Sequence, residues 1–496
     1  MLSWAPVLVK VASSPQSNLS GTAIMTTAHM VSAAAAPAAQ QLLTATAREF
    51  LRLGRLDLAE ALVERALTED ECCADAQSLL ANITDRRGDW EGSLVHLRRA
   101  YALAPAAPQV RLNLALALLR LEEYREGFTL YEARIEKATW SGFATLASRT
   151  RLRHLLLRPG EPVKNRRILV LAEQGLGDAI MCARYVPMLA RQGARVAIAC
   201  NPILRCFFER IAGIETLLSP PADQPFAQLN LEALPFDAWV PMMSLPRRFE
   251  TDVTGAPTEV PYWTPDESRV AAWRRRLAAI GRPGVRKVAL VFQANPLGGG
   301  YAEKSMTIDD ILPLPALSDV DILNFQRGPV GKQMVASVPG IIDPLPNEVP
   351  LHEYAAALAA TDLLVTVDTM AAHLAGAMAH PAWVAVPHSP HWIWGLHREA
   401  TPWYPSLRIF RQDKPHDWSN TVTILATRLN ANVVPSGRAA PVPGPLLHRQ
   451  AAIAADRETL EPAERVSDAQ AVEGLACVGR ALIASGRPDL ARSISE

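Results

Sequence analysis

The 496-residue sequence lacks an excess of charge of either sign, and this argues against one class of partner. It contains 50 lysines and arginines and 50 aspartates and glutamates, so its formal net charge at pH 7 is zero. Proteins that bind nucleic acids or anionic membranes usually rely on a surplus of positive charge. We therefore predict no nucleic-acid partner, and any partner must be recognised through a local surface.

Cysteines and long apolar runs are scarce as well. No uncharged apolar run reaches the ~18 to 20 residues that a membrane helix needs, and no charged start followed by a solid apolar block resembles a secretion signal. The cysteines show neither C-x-x-C spacing nor the density of a disulfide framework. We predict reduced core thiols in a cytoplasmic protein without membrane insertion. The six are Cys72, Cys73, Cys182, Cys200, Cys206 and Cys477.

The sequence does contain enough apolar residues, 49%, for two or three domains. We expect residues 1–38 to be a disordered leader, with Met25 or Met30 as an alternative start. Three further segments are predicted by composition and pattern: a connecting helical segment at 138–165, a linker rich in proline and glycine at 431–465, and a partial helical repeat at 466–496.

Residues 39–137 contain a repeat with a period of 34 residues. Predicted turns begin at Gly54, Gly88 and Glu122, and each lies between two amphipathic helical patterns. Small residues recur in the same frame, at Ala47, Ala81 and Ala115 and again at Ala66 and Ala100. These features resemble tetratricopeptide repeats, although the third unit has Glu122 in place of the turn glycine and Arg134 in place of the second small residue. A plain helical bundle is the alternative. Stacked repeats form a concave groove, which favours binding of a protein or peptide.

Two α/β halves follow, at 166–262 and 263–430, and their alternating strands and helices predict doubly wound parallel sheets. Predicted strands lie at Ile168–Ala172, Arg195–Cys200, Asp237–Val240, Lys287–Phe292, Asp321–Phe325, Leu363–Val367 and Ala382–Val386. Predicted helices lie at Ala179–Arg191, Pro202–Ile211, Leu351–Ala360 and Ala371–Met378.

The first half opens on a buried strand, a loop with Gln174, Gly175 and Gly177, and a helix that we expect to start at Asp178. Open α/β sheets bind ligands at such turns. In the second half, Asp368 and Thr369 follow a strand and Met370 and His373 start the next helix, whose free N–H groups and dipole favour a phosphate. The alternatives are helix N-caps for Asp178, Asp368 and Thr369, and a core position for His373.

Further motifs carry a family resemblance. They are Ala172 to Asp178, Arg184 to Pro187, Met243 to Pro246, Val367 to Gly376 and Thr401 to Pro405. In this order they look like the bacterial tetratricopeptide proteins whose glycosyltransferase domain is related to the heptosyltransferases of family nine. The resemblance implies a GT-B fold of two Rossmann-like domains, with the nucleotide-sugar mainly in the C-terminal one. The layout also resembles protein O-glycosyltransferases, including those that glycosylate flagellin.

The resemblance implies roles for individual residues. Asp178 stands where related enzymes carry the proposed general base, and Gln174, Gly175 and Gly177 would let the backbone approach acceptor or sugar. Lys304 would neutralise the leaving phosphate. The corner around Asp368, Thr369, Met370 and His373 would hold the nucleotide, with Asn295 and Gln326, next to Arg327, as further contacts. A glycine-rich insertion at 298–300 departs from the family pattern and leaves the donor, and activity itself, open.

A cluster of His388, His391 and His397 with Trp392 and Trp394 offers two interpretations. Acidic partners at metal-ligand spacing are absent from this stretch, and GT-B enzymes generally need no bound divalent ion, so we predict no metal site and no cofactor. We expect instead a loop whose aromatic side chains pack at the cleft and whose polar edges touch sugar or nucleotide.

The sequence thus supports one principal hypothesis with two alternatives. The principal one is a metal-independent glycosyltransferase that takes a protein acceptor on its repeats and a nucleotide-sugar in its cleft. Flagellin with a CMP-activated nonulosonic acid is one specific version, and a lipopolysaccharide or polysaccharide acceptor is another. The alternative from a different class is a catalytically inactive scaffold for protein interaction.

Overall fold

The computed structural model describes residues 39–136, 150–219, 234–253, 255–296, 300–346 and 348–431. The predicted leader, the partial repeat and nearly all of the linker lie outside these ranges, as does Cys477. The chain divides into two compact units, Met1–Ile83 with Ala463–Glu496, and Thr84–Pro462. In the described ranges, no helix is long and apolar enough to span a bilayer.

The described part of the first unit is helical. Helix α1 covers residues 39–52, α2 covers Leu56–Glu69, and α3 covers Ala74–Arg86, which continues into the second unit. Gly54 has a positive φ of 74° at the turn between α1 and α2, a conformation that glycine adopts without strain. The two helices and the start of α3 bury one apolar cluster that includes Phe50, Val63 and Leu79.

The second unit begins with three more helices of the same pattern. They are α4 (Trp90–Leu103), α5 (Pro108–Arg120) and α6 (Tyr124–Tyr131), and a 3₁₀ turn at Glu132–Glu136 follows. Asp89 caps α4 by accepting a 2.8 Å hydrogen bond from the Gly92 N–H. At the third turn Glu122 takes a φ of 67° where the earlier units have glycine.

The five small residues of the repeat frame are all buried at 0–1% exposure, which is what close helix packing requires. They are Ala47, Ala66, Ala81, Ala100 and Ala115. The predicted helices are therefore present, and the small residues of the repeat frame lie on their buried faces.

The first α/β half contains a four-stranded parallel sheet. Its strands are β1 (Arg167–Leu171), β2 (Arg195–Ala199), β3 (Ile214–Leu218) and β4 (Ala238–Pro241), in the order β3-β2-β1-β4. The short helices α7 (Thr150–His154), α8 (Leu176–Cys182), α9 (Tyr185–Arg191), α10 (Arg205–Phe208) and α11 (Leu245–Arg248) accompany it. Strand β3 was not predicted, because its residues are only half-buried or exposed and give no apolar run.

Two helix predictions in this half differ from the structure. The single helix expected to start at Asp178 and to cover Ala179–Arg191 is two helices, α8 and α9, and the first begins at Leu176. Pro187 explains the break: it has no N–H to donate, and its ring would clash with the carbonyl of Ala183 in a continuous helix. The helix predicted at Pro202–Ile211 is likewise shorter, a 3₁₀ turn at Pro202–Leu204 followed by α10.

The second half contains a five-stranded parallel sheet in the order β6-β5-β7-β8-β9. Its strands are β5 (Arg286–Val291), β6 (Val320–Asn324), β7 (Leu363–Val367), β8 (Ala382–Val386) and β9 (Leu407–Arg411). The helices are α12 (Glu267–Ile280), α13 (Tyr301–Lys304), α14 (Ile308–Ile311), α15 (Gly328–Ser337), α16 (Leu351–Ala359), α17 (Met370–Ala377) and α18 (Ser419–Asn430). The sequence predictions did not include β9 or the helices α12, α15 and α18.

The fold class predicted from the sequence is confirmed: helical hairpins precede two Rossmann-like parallel sheets. In each sheet the strand order reverses next to the first strand, β1 or β5, which marks the place where ligands bind in open α/β sheets. One continuous apolar core joins α5, α6 and both sheets. The third repeat unit is therefore part of the same compact unit as the two α/β halves.

The repeat frame generates a stability prediction. Ala100 is fully buried, whereas Ala102 on the same helix is exposed. Ala100→Leu should destabilise the protein by about 1–3 kcal/mol, because extra methyl groups have no room in a packed contact. Ala102→Leu should change stability by less than about 0.5 kcal/mol. Guanidinium unfolding of both variants measures the difference, and equal midpoints would contradict the assigned frame.

Candidate functional site

The two halves meet where a glycine of the first half contacts a histidine of the second. A Cβ placed on Gly177 would lie 2.5 Å from Cδ2 of His373, so no larger residue fits without movement. Gly177 lies in the first turn of α8, and His373 lies in the first half of α17. The structure thus brings together two motifs that are almost 200 residues apart in the sequence.

On the first half, Asp178 is held by the loop that precedes it. Gly175 is the N-cap residue of α8, and Oδ2 of Asp178 accepts a 3.0 Å hydrogen bond from the Gly175 N–H. Asp178 therefore braces the helix start from its third position, and the alternative that it is the N-cap residue itself is wrong. Its side chain is half-buried and close enough to act on the pKa of His373.

On the second half, helix α17 has an N-terminus that its own N-cap residue does not cap. Thr369 occupies the N-cap position, but its hydroxyl hydrogen-bonds Oγ1 of Thr366 at 3.0 Å and accepts nothing from the helix. Met370, the first helical residue, is half-buried. Backbone N–H groups at such a start, reinforced by the helix dipole, suit an anionic ligand.

Asp368 and Lys304 form an ion pair beside this N-terminus, with Nζ of Lys304 3.6 Å from Oδ2 of Asp368. Burial alone would raise the pKa of Asp368. The positive charge of Lys304, with smaller contributions from the neighbouring rings of His391, His373 and Trp394, outweighs burial and lowers that pKa. Asp368 is therefore a carboxylate at neutral pH, and Lys304 is placed at the edge of the anion-binding corner.

His373 is buried, with 5% exposure, and its Nδ1 lies 3.1 Å from the hydroxyl of Tyr404. Burial lowers its pKa from 6.5 to about 4, although the charges of Asp368 and Asp178 act in the opposite direction. The imidazole is consequently neutral at physiological pH. It can offer a hydrogen bond to a ligand but no charge.

Three of the other predicted residues lie in loops after β5 and β6. Asn295 is exposed, and residues 297–299, which include two of the three glycines of the insertion, lie outside the described ranges. Gln326 accepts hydrogen bonds from the N–H groups of Phe292 and Gln293 at 3.2 and 3.1 Å. Arg327 donates to the carbonyl oxygens of Leu345 and Pro346. Gln326 and Arg327 thus brace loops in this structure.

The aromatic loop at 388–404 packs against the repeats, which differs from the expected position along the cleft. The ring of His388 lies against Gly88, where a Cβ would be 2.8 Å from Nε2, and Trp392 meets Phe128 edge-on at 5.5 Å between ring centroids. Two aromatic residues of this loop do reach the candidate site: the ring centroid of Trp394 lies 5.5 Å from that of His373, and the Tyr404 hydroxyl contacts the same histidine. Among the described residues no group of three or more histidines, cysteines or acids could hold a metal ion.

The sequence interpretation missed a second contact between the repeats and the site. Arg134 has no exposed surface, and its Nη2 lies 2.6 Å from Oε1 of Glu173, which is equally buried. Tyr131 hydrogen-bonds the side-chain amide of Gln174. The sequence signal for this contact was Arg134 itself, which occupies a repeat position that holds a small residue in the other units.

The sequence interpretation also missed a contact between two of the recognised motifs, Arg184 to Pro187 and Thr401 to Pro405. The guanidinium of Arg184 stacks between the rings of Tyr262 and Tyr404, at 4.7 and 4.8 Å from their centroids. It also donates to the carbonyl of Trp403 at 2.8 Å. Because Tyr404 in turn contacts His373, Arg184 of the first half helps to fix the histidine of the second.

Known proteins share limited similarity with this chain. No family model matches the chain. Protein FlbA of Caulobacter vibrioides is 24% identical over 373 residues, which are 69% of this chain and 59% of FlbA, so the chain spans about three fifths of that curated relative. A glycosyl transferase of family 9 from Veillonella parvula has 13% identity and a TM-score of 0.41, with 55% of this chain and 99% of that one covered.

A third similar protein is an O-GlcNAc transferase from Thermobaculum terrenum. It has 14% identity and a TM-score of 0.25, and the match covers 81% of this chain and 88% of that one. The similar structures thus include one described as a glycosyl transferase of family 9, the family that the sequence motifs resemble.

The environment of His373 generates a pH prediction. We expect its ring resonances in NMR spectra to stay constant between pH 7.5 and 5.5, while imidazole added as a reference titrates. Loss of the signals in His373→Gln assigns them. The unfolded chain takes up this proton near pH 6.5 and the folded chain only near 4, so the contribution of His373 to stability falls as the pH is lowered through this window. A titration midpoint near 6.5 would contradict the buried position.

Proposed function

We propose that the protein is a glycosyltransferase that moves a sugar from a nucleotide-sugar to a hydroxyl group of a protein acceptor. The observation that supports this most directly is the approach of Gly177 to His373, which sets a carboxylate, Asp178, opposite the anion-binding corner of α17. A transferase needs a proton acceptor on one wall of its cleft and a phosphate site on the other. The resemblance to family-nine enzymes agrees with this division of roles.

On the acceptor wall, Asp178 acts as general base. As the hydroxyl oxygen of the acceptor bonds to the anomeric carbon of the sugar, the bond from that carbon to the phosphate oxygen breaks. Asp178 takes the proton of the hydroxyl, and the electron pair of the broken bond leaves with the nucleotide. General base catalysis of this kind typically contributes about 10²- to 10⁴-fold.

On the donor wall, the N-terminal N–H groups of α17 bind the phosphate and Lys304 neutralises its developing charge. The neutral ring of His373 contributes a hydrogen bond. With these groups in place we propose that transfer needs neither a metal ion nor another cofactor. Met370, Asn295, Gln174 and Gly175 remain candidate contacts of the donor.

We propose that the repeats bind the acceptor protein and that the reaction takes place in the cytoplasm. Helical hairpins of this pattern form surfaces for peptides. The five cysteines in the described ranges are free thiols, which agrees with a reducing compartment. Flagellin carrying a nonulosonic acid from a CMP-activated donor is one specific version, which rests on the layout of the domains.

Two alternatives remain distinct from this proposal. A lipopolysaccharide or polysaccharide acceptor would use the same cleft chemistry without the repeats. A catalytically inactive scaffold would keep the fold and lose turnover, and the glycine-rich insertion at 298–300 is the feature that favours it.

The Asp178→Asn variant tests the chemistry. The amide oxygen can still accept the hydrogen bond from Gly175, so fold and nucleotide binding should persist, while transfer should fall by about 10²- to 10⁴-fold. Thermal-shift assays with UDP, ADP, GDP and CDP should find one ligand that raises the melting temperature of both proteins equally. Chelation with EDTA should leave the parent rate unchanged.

Three results would contradict the proposal for the cleft. Undiminished transfer by Asp178→Asn removes this residue from the mechanism. A rate that collapses in EDTA and returns with a divalent ion contradicts metal independence. No response to any nucleotide favours the scaffold.

The acceptor is tested with the same variant. The full chain carrying Asp178→Asn should retain its acceptor from a lysate of the source cells, and intact masses of the captured proteins should be higher in wild-type cells than in cells without the gene by the mass of a sugar. Captured proteins with identical masses in both strains, and sugar loss confined to lipopolysaccharide, would favour the alternative acceptor.

A further inference from the structure

The third repeat unit contacts the loop of the candidate site at two places, through Tyr131 and through Arg134. We call residues 173–178 the Asp178 loop. We propose that Tyr131 and Arg134 are positioning residues for glycosyl transfer, which act by holding this loop in the geometry that the reaction needs. The proposal rests on the proposed function and extends it to the repeat array.

The first contact is the buried ion pair at the start of the loop. Arg134 donates to both oxygens of Glu173, from Nη2 at 2.6 Å and from Nε at 3.3 Å, and also to Oγ of Ser244 at 2.8 Å. Glu173 accepts a further hydrogen bond from the Met243 N–H at 3.1 Å. The pair therefore joins three elements, namely the repeat, the end of β1 and the turn after β4, at a point without solvent.

The second contact is one residue further along the loop. The hydroxyl of Tyr131 lies 3.1 Å from Oε1 and 3.0 Å from Nε2 of Gln174. Gln174 has a φ of 64°, a conformation that costs energy for a residue other than glycine. Such strain persists only where the surroundings impose it, and the hydrogen bond to Tyr131 supplies that constraint.

The constraint passes directly to the proposed base. Gln174 is followed by Gly175, whose N–H donates to the carboxylate of Asp178. A change in the backbone at Gln174 therefore rotates or shifts the N–H that orients Asp178. Displacements of about 1 Å in a reacting group can lower rates by as much as about 100-fold. The repeat thus orients the base as well as binding the acceptor.

Tyr131→Phe in the full chain tests this, and Tyr124→Phe is its matched control. Tyr124 lies on the same helix, is equally buried at 2% exposure, and loses a hydrogen bond with the Trp403 indole at 3.1 Å, remote from Gln174 in the hydrogen-bond network. We expect kcat to fall about 10- to 100-fold in Tyr131→Phe, with the KM for the nucleotide-sugar unchanged. Tyr124→Phe should keep the parent kcat at a comparable loss of melting temperature.

Three further tests separate positioning from a structural role. Hydrogen exchange of the amides at 174–178 should be faster in Tyr131→Phe and unchanged in Tyr124→Phe. In a Gln174→Asn background, where the partner of the hydroxyl is shortened and the left-handed conformation is retained, Tyr131→Phe should cause no additional loss of kcat. Arg134→Lys, which keeps the charge and loses the two-pronged contact, should show the same selective loss of kcat.

The proposal is overturned if the two tyrosine variants share the same kcat, or if exchange at 174–178 is unaffected by Tyr131→Phe. Its failure differs from failure of the proposed function. Absence of transfer and of nucleotide binding in the parent chain contradicts the proposed function, while faster exchange at 174–178 would still show that Tyr131 orders the loop. Transfer by the parent with unaffected Tyr131→Phe contradicts the positioning role alone.

Discussion

The buried ion pair of Arg134 and Glu173 is the interaction on which the arrangement of this unit depends. Charged groups removed from water are tolerated only with close partners, and here each partner comes from a different part of the chain. Removing one member of such a pair typically costs about 3–5 kcal/mol because the other is left buried and unpaired. The repeat, the first sheet and the turn after β4 must therefore assemble together, and the candidate loop begins at their junction.

On the opposite wall of the cleft, arginine side chains likewise connect distant parts of the chain. Arg184 reaches from the first half to Trp403 and stacks on Tyr404, whose hydroxyl reaches His373. Glu122, at the turn of the third repeat, pairs with Arg398 of the second half. Long arginine side chains with buried aliphatic portions thus connect the third repeat and the two α/β halves. Apolar packing fills the space between these three parts.

The sequence predicted those helices and strands whose apolar pattern is visible within the element itself. Strands such as β7 are continuous apolar runs, and the period of 34 residues located the helical hairpins. Strand β3 carries no such run because it is only half covered, and the break before α9 depends on a proline within an otherwise helical pattern. The loop before α8 and the start of α17, which face each other in the structure, were also predicted from sequence, but as two separate ligand-binding turns.

The contacts between distant parts could not be predicted from sequence. In the sequence, Arg134 and Glu122 are departures from the repeat pattern with no evident role. The structure shows that Arg134 pairs with Glu173 and that Glu122 pairs with Arg398. Nothing in the spacing indicates such pairs, because their separation along the chain is set by the fold. Departures from a repeat consensus are therefore the positions to inspect first for contacts outside the repeat.

These departures also limit how the array can be exchanged. Repeat proteins are often treated as cassettes, since each unit contacts only its neighbours and can be replaced by another. The third unit does not have that property, because its Arg134 and Tyr131 contact Glu173 and Gln174 outside the repeats. A chimera with a foreign array would have to retain residues 122–136 as an adaptor, and replacement would be confined to the units before it.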